Sequence, residues 1–441
     1  MDPKNEKLPY IYITAKQHKT PIEELSKIAV EEPQAALSAY TKAMCHRWTF
    51  VQRTISSIGH LFTPLENAVR TKLIPAIVGR DISDLERQIF SLPVRYGGLG
   101  IADPSTTSDR EYSTSKKVTE NLTRLIIQQD QSLENYESEH VTSELLKTLE
   151  AVREASFKQR AKEIMTQVDS DTAKLLLNAQ EKGVGVWLTA LPLTSLGYTL
   201  NKEEFRDSIR LRYGWKIPNI PAYCVCGERN DINHTLTCKT GGYVIFRHNK
   251  IRDTNAEFLR EACYDVQVEP ELLSIENKDF CGKGNNTDQA RLDISARGLW
   301  GPFQKTMFDV RIFHPNAPSY KNKSIPELYK LHESAKIREY QHRVLQTEKA
   351  SFTPLVYNTY GGMAPQSLAF HRKLAGLVAE KRNEAYNDVL NCMRTKLCFA
   401  MLRSILISIR GSRGKRRQKM ETPISCISFN MIPCTEHYET L

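Results

Sequence analysis

Residues 291–312 (RLDISARGLWGPFQKTMFDVRI) constrain the fold most, because they predict two paired strands joined by a tight turn. Leu292, Ile294 and Ala296 alternate with polar residues, which is the period-two pattern of a half-buried strand. A glycine- and proline-containing segment then breaks the chain. The run that follows, residues 307–313, is apolar apart from one acid and one arginine and predicts the second strand.

Each predicted strand carries one acid near its middle, Asp293 on the first and Asp309 on the second. Paired strands with acids at matched height can hold a divalent cation between two carboxylates. Mg²⁺ prefers such hard oxygen ligands together with substrate phosphate. The alternative is two solvated acids on an ordinary hairpin, and the spacing alone leaves both interpretations open.

Length and charge narrow the class of protein. A chain of 441 residues predicts two to four domains, and its 25% charged residues are typical of a soluble globular protein. The net charge of +10 favours a polyanionic partner, nucleic acid first. We find no apolar run long enough to span a membrane and no signal-peptide core, so we expect no membrane partner.

Three of the ten cysteines lie within fifteen residues, beside a histidine. Cys224 and Cys226 are separated by one residue, His234 follows after seven more, and Cys238 after a further three. Three thiolates and one imidazole suit tetrahedral Zn²⁺. So short a segment cannot bury a core of its own, so the metal would supply its folding energy. The alternative is three reduced cysteines near a histidine.

Basic residues flank this cysteine group on both sides. A basic amphipathic helix is predicted over residues 205–213, and its arginines form either a solvated face or contacts to nucleic acid: Arg206, Arg210 and Arg212. Arg247 and His248 precede a helix predicted from about Lys250 to Cys263, and we assign both to nucleic-acid contact. For His248 an additional role at the zinc site or a purely structural hydrogen bond remains open.

The order of elements predicts a mixed α/β protein. Residues 1–20 read as loosely ordered, residues 21–70 as helices and residues 105–180 as a polar helical region, while residues 274–290 read as a polar loop. Over residues 249–409 the order is helix, three strands, helix, strand, helix, which is typical of a small α/β core.

Several segments resemble the polyproteins of non-LTR retrotransposons. LPVRYGGLGIADPS (residues 92–105) resembles the segment that follows the polymerase palm of their reverse transcriptases. The segments that resemble their C-terminal region, with its zinc knuckle and restriction-like endonuclease, are CVCG…HTLTC, GGYVIFRHNKIRD, ARLDISARGLW, FDVRIFHPNAPSY, HESAKIREYQHRV, SFTPLVYNTYGGM and FAMLRSILISIRGSR. The resemblance covers roughly residues 20–413 and is most specific in 224–360.

This resemblance implies a PD-(D/E)XK nuclease that nicks target DNA with Mg²⁺ or Mn²⁺. Asp293 matches the first metal-binding acid and Asp309 the acid of the second motif. The motif's lysine position is Arg311 here, a departure that matters because arginine keeps its proton at any relevant pH. Arg311 can still stabilise charge in the transition state.

The missing amine can come from the next predicted helix, residues 325–347. Lys336 lies three residues after Glu333 on one helical face, and we include both among the candidate catalytic residues. Glu257, in the helix after the RHN sequence, is a candidate supporting carboxylate.

The predicted organisation has five parts. They are a reverse-transcriptase thumb-like helical segment (1–104), a helical connector (105–200), a basic helix with a CCHC-type zinc knuckle (201–245), a restriction-endonuclease-like domain (246–411) and a disordered basic tail (412–441). We expect structural Zn²⁺, DNA as the partner with element RNA as a further candidate, and a nuclear location.

Two alternatives to a live endonuclease remain. The chain is either an inactive nucleic-acid-binding remnant, which the Arg311 departure favours, or the product of a degraded element without function. No adjacent Asp-Asp pair occurs in the sequence, and the chain starts downstream of the family's palm, so we expect no polymerase activity from it.

Overall fold

A computed structural model describes residues 8–129, 138–273, 287 and 290–411. The predicted tail, 412–441, and most of the predicted polar loop, 274–290, lie outside these residues. The chain forms two compact units: the first runs to Gln180 and resumes over Leu188–Trp215, and the second comprises Glu181–Trp187 and the chain from Lys216 onward. This division differs from our predicted boundaries at 200/201 and 245/246.

The first unit is helical throughout its described residues. Its helices are α1 (Leu8–Glu31), α2 (Pro33–Lys42), α3 (Thr49–Thr54), α4 (Thr63–Ala68), α5 (Ile74–Val78), α6 (Asp84–Ser91), α7 (Pro104–Gln128), α8 (Ser138–Met165), α9 (Ser170–Gln180) and α11 (Lys202–Tyr213), and α10 (Val186–Thr189) spans the division between the units. Short 3₁₀ turns (Met44–His46, Gly59–Phe62, Val94–Tyr96 and Thr194–Leu196) and one π turn (Val69–Leu73) connect them.

Local sequence sets where these helices begin. Ser83 and Glu86 form a capping box at the start of α6, so two otherwise unpaired backbone N–H groups are satisfied. Pro104 follows an Asp103 cap at the start of α7. The largest side chains in the core are those of Tyr40, Phe62, Phe90 and Phe205, each at most 1% exposed.

One prediction for this unit was wrong in part. We expected residues 1–20 to be loosely ordered, but α1 begins at Leu8. Residues 8–20 contain no glycine, and Pro9 lies in the first helical turn, where its missing N–H costs nothing. α1 continues N-terminal to its buried residues Ile22, Leu25 and Ala29 even though Pro21 lies inside it and removes one helical hydrogen bond.

The second unit is a four-stranded mixed sheet with helices, which confirms the mixed α/β fold class. Its elements are α12 (Ile232–Thr237), α13 (Tyr243–Ala262), β1 (Tyr264–Val268), β2 (Ile294–Arg297), β3 (Lys305–Phe313), α14 (Ile325–Lys336), α15 (His342–Gln346), β4 (Ser351–Asn358), α16 (Pro365–Arg382) and α17 (Tyr386–Arg410), with a 3₁₀ turn at Pro318–Tyr320 and a π turn at Ile337–Gln341. The strand order is β1-β2-β3-β4.

The pairing of the strands places the two acids. β2 pairs antiparallel with β1 and with β3, whereas β3 and β4 are parallel and are connected through α14. Parallel neighbours need such a crossover connection. Ile294 pairs with Phe308, so the register brings the residues before and after this pair, Asp293 and Asp309, level with each other.

Side chains of β3 alternate between two helical layers, as expected for a strand buried on both faces. Phe308 packs edge-on against Phe370 of α16, with ring centroids 5.3 Å apart. Phe313, on the other face, stacks on His332 of α14 with centroids 4.5 Å apart. Asp309 shares this second face and therefore points toward α14.

No helix among the described residues combines the length and the hydropathy needed to cross a membrane.

Candidate active site and metal centre

Asp293 directly precedes the first residue of β2. We had expected it near the middle of the strand. Its backbone N–H donates to the carbonyl of Phe308 at 3.1 Å, so it still extends the ladder between β2 and β3. Its carboxylate is held by two donors: the backbone N–H of Val310, 2.6 Å from Oδ2, and Nε2 of His248, 3.2 Å from the same oxygen. Both contacts involve Oδ2, so among the described residues Oδ1 has no hydrogen-bond donor.

His248 is therefore a neighbour of the acid pair. It lies on α13, and its Nε2 is also 3.0 Å from the carbonyl oxygen of Val310. Burial would lower the pKa of the imidazole, but the hydrogen bond and charge of Asp293 outweigh it and raise the pKa. Of the roles we considered, the structural hydrogen bond matches this geometry, and His248 is absent from the cysteine group.

Asp309 is the more buried of the two acids, with 6% of its surface exposed. Its Oδ2 lies 3.1 Å from Nζ of Lys336 as an ion pair but lacks a hydrogen bond of regular geometry. Burial raises the pKa of this carboxyl to about 6; Lys336 partly offsets the effect of burial, and the charge of Asp293 adds a smaller upward contribution. The two acids are thus close enough to repel each other, which a divalent cation would relieve.

Lys336 reaches Asp309 from the last turn of α14. Its Nζ also pairs with Glu339 at 3.3 Å and lies 5.2 Å from the ring centroid of Tyr340. Burial would lower the pKa of the ammonium, yet Asp309 and Glu339 raise it overall. Lys336 therefore carries a positive charge at the acid pair.

The remaining predicted catalytic residues lie elsewhere or have other partners. Glu333 accepts a hydrogen bond from the backbone N–H of Gln366 at 2.9 Å and so caps the first turn of α16. Glu257 is exposed and follows His248 by nine residues, which places it on the opposite side of α13. Arg311 is exposed, and the described residues provide it no ion pair.

The cysteine group has the dimensions of a zinc site. The ligand atoms of Cys224, Cys226, His234 and Cys238 all lie within 4.8 Å of one another. The Sγ atom of Cys238 is 3.9 Å from each of the other two sulfurs, and Cys226 Sγ is 3.3 Å from His234 Nε2. Zn–S bonds of about 2.3 Å at tetrahedral angles separate sulfur atoms by about 3.8 Å. The group can therefore hold a zinc-like ion.

Local backbone structure brings these ligands together. Gly227, with φ at +94°, forms the tight turn after the first two cysteines, and its N–H donates to the carbonyl of Cys224 at 2.9 Å. Asp231 caps the short helix α12, which carries His234. Burial would raise the pKa of the Cys224 thiol, but a hydrogen bond from the Cys226 backbone and others from the remaining ligands lower it to about 6. The thiolate that a metal needs is thus favoured.

Two buried contacts fix this knuckle to the sheet unit. His314, directly after β3, is 2.8 Å from Asn233 Oδ1 through Nε2 and 2.8 Å from Thr359 Oγ1 through Nδ1. Arg247 of α13 donates from Nη2 to the carbonyl of Leu236 at 2.9 Å. Arg247 is only 2% exposed, so its side chain stabilises the fold and has no access to a partner at the surface.

The arginines of α11 likewise have partners within the first unit. Arg206 donates to the carbonyl oxygens of Val30 and Ala76 at 3.0 and 2.8 Å. Arg210 pairs with the buried Asp207 at 2.9 Å. Arg212 is 5% exposed and donates to the carbonyl of Val94, 3.0 Å away. The basic periodicity of this helix therefore reflects cations that bond to the protein itself.

Sequence reasoning brought Asp293, Asp309 and Lys336 together but missed the contact between His248 and Asp293. Forty-five residues separate these two, and no local pattern signals such a contact. Glu339 was also missed, although its position three residues after Lys336 on a helix was a usable signal.

No protein-family model and no curated protein matches the chain.

Proposed function

We propose that this chain is a retrotransposon-derived, metal-dependent DNA endonuclease that hydrolyses phosphodiester bonds. The observation that carries the proposal is the triad of Asp293, Asp309 and Lys336. Two carboxylates at one height on paired strands, with an ammonium from the following helix 3.1 Å from one of them, fit the restriction-like nuclease arrangement that the sequence resembles.

The carboxylates suit Mg²⁺ or Mn²⁺. Asp293 Oδ1 and the buried Asp309 Oδ2 are hard oxygen donors without regular hydrogen bonds, which is the donor set such ions prefer. When bound, the ion would stabilise charge on the phosphate and lower the pKa of water.

Lys336 would act through its charge. Because its pKa is raised beside Asp309, the ammonium stays protonated and is unsuited to accept a proton. Its role is to donate a hydrogen bond to the phosphate and stabilise negative charge there. Val310 N–H and His248 would hold Asp293 Oδ2, so that the other oxygen faces the ion.

The knuckle formed by Cys224, Cys226, His234 and Cys238 would bind structural Zn²⁺ and contribute to nucleic-acid contact. DNA is the proposed substrate, with element RNA as a further partner, and both imply a nuclear location. The net charge of +10 supports a polyanionic partner.

A nucleic-acid-binding protein without nuclease activity is the second candidate. It is favoured by Arg311, which occupies the motif's lysine position and is exposed. In that case the acid pair and Lys336 would form only a buried structural ion pair.

Nicking of supercoiled plasmid by the zinc-loaded protein separates the two candidates. The endonuclease proposal expects Mg²⁺- or Mn²⁺-dependent nicking that EDTA abolishes and that Asp293→Ala and Asp309→Ala each remove. DNA affinity should be unchanged or raised in both variants, because a negative charge near phosphate is lost. Salt-sensitive DNA binding without any nicking would leave only the second candidate.

A further inference from the structure

Three arginines of the first unit lie close enough together to affect one another, and two of them lie over one aromatic ring, far along the chain from the acid pair. Arg110 lies on α7, and Arg153 and Arg160 lie on α8. The guanidinium carbons of Arg110 and Arg153 are each 5.6 Å from the ring centroid of Phe157. Spacings of four and three residues put Arg153, Phe157 and Arg160 on one face of α8.

No carboxylate neutralises this cluster. Among the described residues, none of the three arginines forms an ion pair, and Arg160 donates instead to Ser91 Oγ at 3.0 Å. Two acids adjacent in sequence to these arginines have other partners. Glu111 pairs with Arg53 at 3.2 Å, and Glu154 accepts hydrogen bonds from Arg95 and from the Tyr96 hydroxyl.

The arrangement is electrostatically unfavourable in the free protein. The pKa of the Arg110 guanidinium is lowered by burial first and then by the positive charges of Arg153 and Arg160, while Glu111 only partly offsets this. Arg110 Nε is buried and lacks a hydrogen-bond acceptor. An anion placed among the three guanidinium groups would supply both the missing charge and the missing acceptor.

We propose that Arg110, Arg153 and Arg160, on the two helices that meet at Phe157, form a phosphate-binding site for the backbone of a nucleic acid. Guanidinium groups match phosphate oxygens with paired hydrogen bonds. Phe157 is 6% exposed, so it supports the arginines from beneath and leaves the outer side of the cluster to the ligand. Contacts of this kind are independent of base sequence.

This site is separate from the proposed endonuclease site. It rests on the proposed function only in taking nucleic acid as the partner. It also differs from the arginines that the sequence suggested for this role, Arg206, Arg210 and Arg212, whose guanidinium groups bond to the protein itself.

The test compares two charge-matched double variants of the full chain. Arg153→Gln/Arg160→Gln removes two unpaired cations of the cluster. Arg70→Gln/Lys72→Gln removes two cations of the same unit that are already paired, with Asp84 and Glu23 respectively. Binding of a 30-base-pair fluorescent duplex is measured by anisotropy over a range of salt concentrations, without divalent metal, and folding is checked by circular dichroism.

We expect the cluster variant to bind at least about tenfold more weakly, with the salt dependence of log K shallower by up to about 0.9, since the site holds one phosphate and each neutralised phosphate contributes about 0.9. The control should stay within about twofold of the wild type. Arg153→Lys/Arg160→Lys, which keeps the charge, should retain most of the salt dependence.

Equal affinities for all variants, or equal losses in the cluster variant and the control, would overturn the inference. Weaker binding of inorganic phosphate by the cluster variant, with unchanged affinity for the duplex, would also overturn it, because the site would then recognise only the free ion. The assay is independent of cleavage: absence of plasmid nicking would leave this result untouched, and a failure here would leave the acid pair untouched.

Discussion

At the scale of single residues, the acid pair carries an electrostatic cost. Asp309 is buried next to a second carboxylate, and its one cationic partner, Lys336, is shared with Glu339. A buried charge with incomplete compensation is typical of a functional site, where stability is lower than packing alone would allow.

The titration of Asp309 should be visible in the stability of the protein. Because its pKa is raised to about 6 in the folded state, its contribution to stability is full below the unfolded pKa near 4 and is lost as the pH rises through about 6. A shift of about two units corresponds to about 3 kcal/mol, roughly half of it above pH 5. Urea unfolding without divalent metal should therefore show wild type losing stability relative to Asp309→Asn between about pH 5 and pH 8. Parallel profiles would contradict the assignment.

His248 should matter through Asp293. Removing its ring in His248→Ala leaves the Val310 N–H as the only donor to this carboxylate among the described residues, so the carboxylate loses its fixed orientation. Groups that orient metal ligands are typically worth about 10- to 100-fold in metal affinity. We expect Mn²⁺ titration followed by electron paramagnetic resonance to show a loss of at least about tenfold. His46→Ala, at an exposed position, is the control, and equal affinity in both variants would rule out this role.

At the scale of elements, the strand pair and the knuckle could be predicted from sequence, since each carries a local signal. Alternation marks β2 and β3, and the spacing of Cys224, Cys226, His234 and Cys238 marks the zinc site. Partners of long side chains could not be predicted in this way. Glu333 has the right helical spacing for a site residue, but it caps α16, 33 residues later in the chain.

The knuckle should depend on metal for its structure. Its segment has few buried apolar groups, so the free energy of metal binding stabilises it. We expect one zinc per chain by mass spectrometry of the metal content, and a lower melting temperature after chelation. Cys238→Ser should lose the zinc and melt earlier, while Cys45→Ser, outside the group, should behave as wild type. Full zinc content in Cys238→Ser would contradict the ligand assignment.

The turn after β4 is held by a buried polar network. Asn358 Nδ2 donates to Glu181 Oε2 at 3.0 Å and lies 2.8 Å from the Tyr329 hydroxyl, and its Oδ1 accepts from the Gly362 N–H at 2.9 Å. A Cβ at Gly362 would lie 1.7 Å from Glu181 Oε2.

Gly362→Ala should therefore destabilise the fold by about 2 kcal/mol or more, because the network must move. Gly376→Ala is the matched control: it lies in α16 with no atom within 4 Å of the added Cβ, and it should be neutral or stabilising by up to about 1 kcal/mol. Denaturant unfolding measures both, and equal midpoints would show that the turn tolerates the methyl group.

At the scale of the whole molecule, the net charge of the chain does not show which cations are free of partners within the protein. The net charge of +10 suggests polyanions as a class of partner, but it does not locate where they would bind. The arginines with the clearest helical periodicity, on α11, bond to backbone carbonyls and to Asp207, whereas Arg110 and Arg153 have no acidic partner in the part of the chain that the structure describes. Only three-dimensional packing distinguishes the two groups, so the spacing of arginines along a helix does not identify which of them are free of partners.

The most direct test of the account is the initial rate of Mg²⁺-dependent plasmid nicking by wild type, Lys336→Gln and Arg311→Gln under the same conditions. If the ammonium from α14 serves the acid pair, wild type nicks the plasmid and Lys336→Gln loses at least about 100-fold in rate, the effect of removing one charge-stabilising donor. Arg311→Gln, which removes an exposed and unpaired cation, should stay within about tenfold of wild type. No metal-dependent nicking by wild type, or a loss confined to Arg311→Gln, would contradict the account.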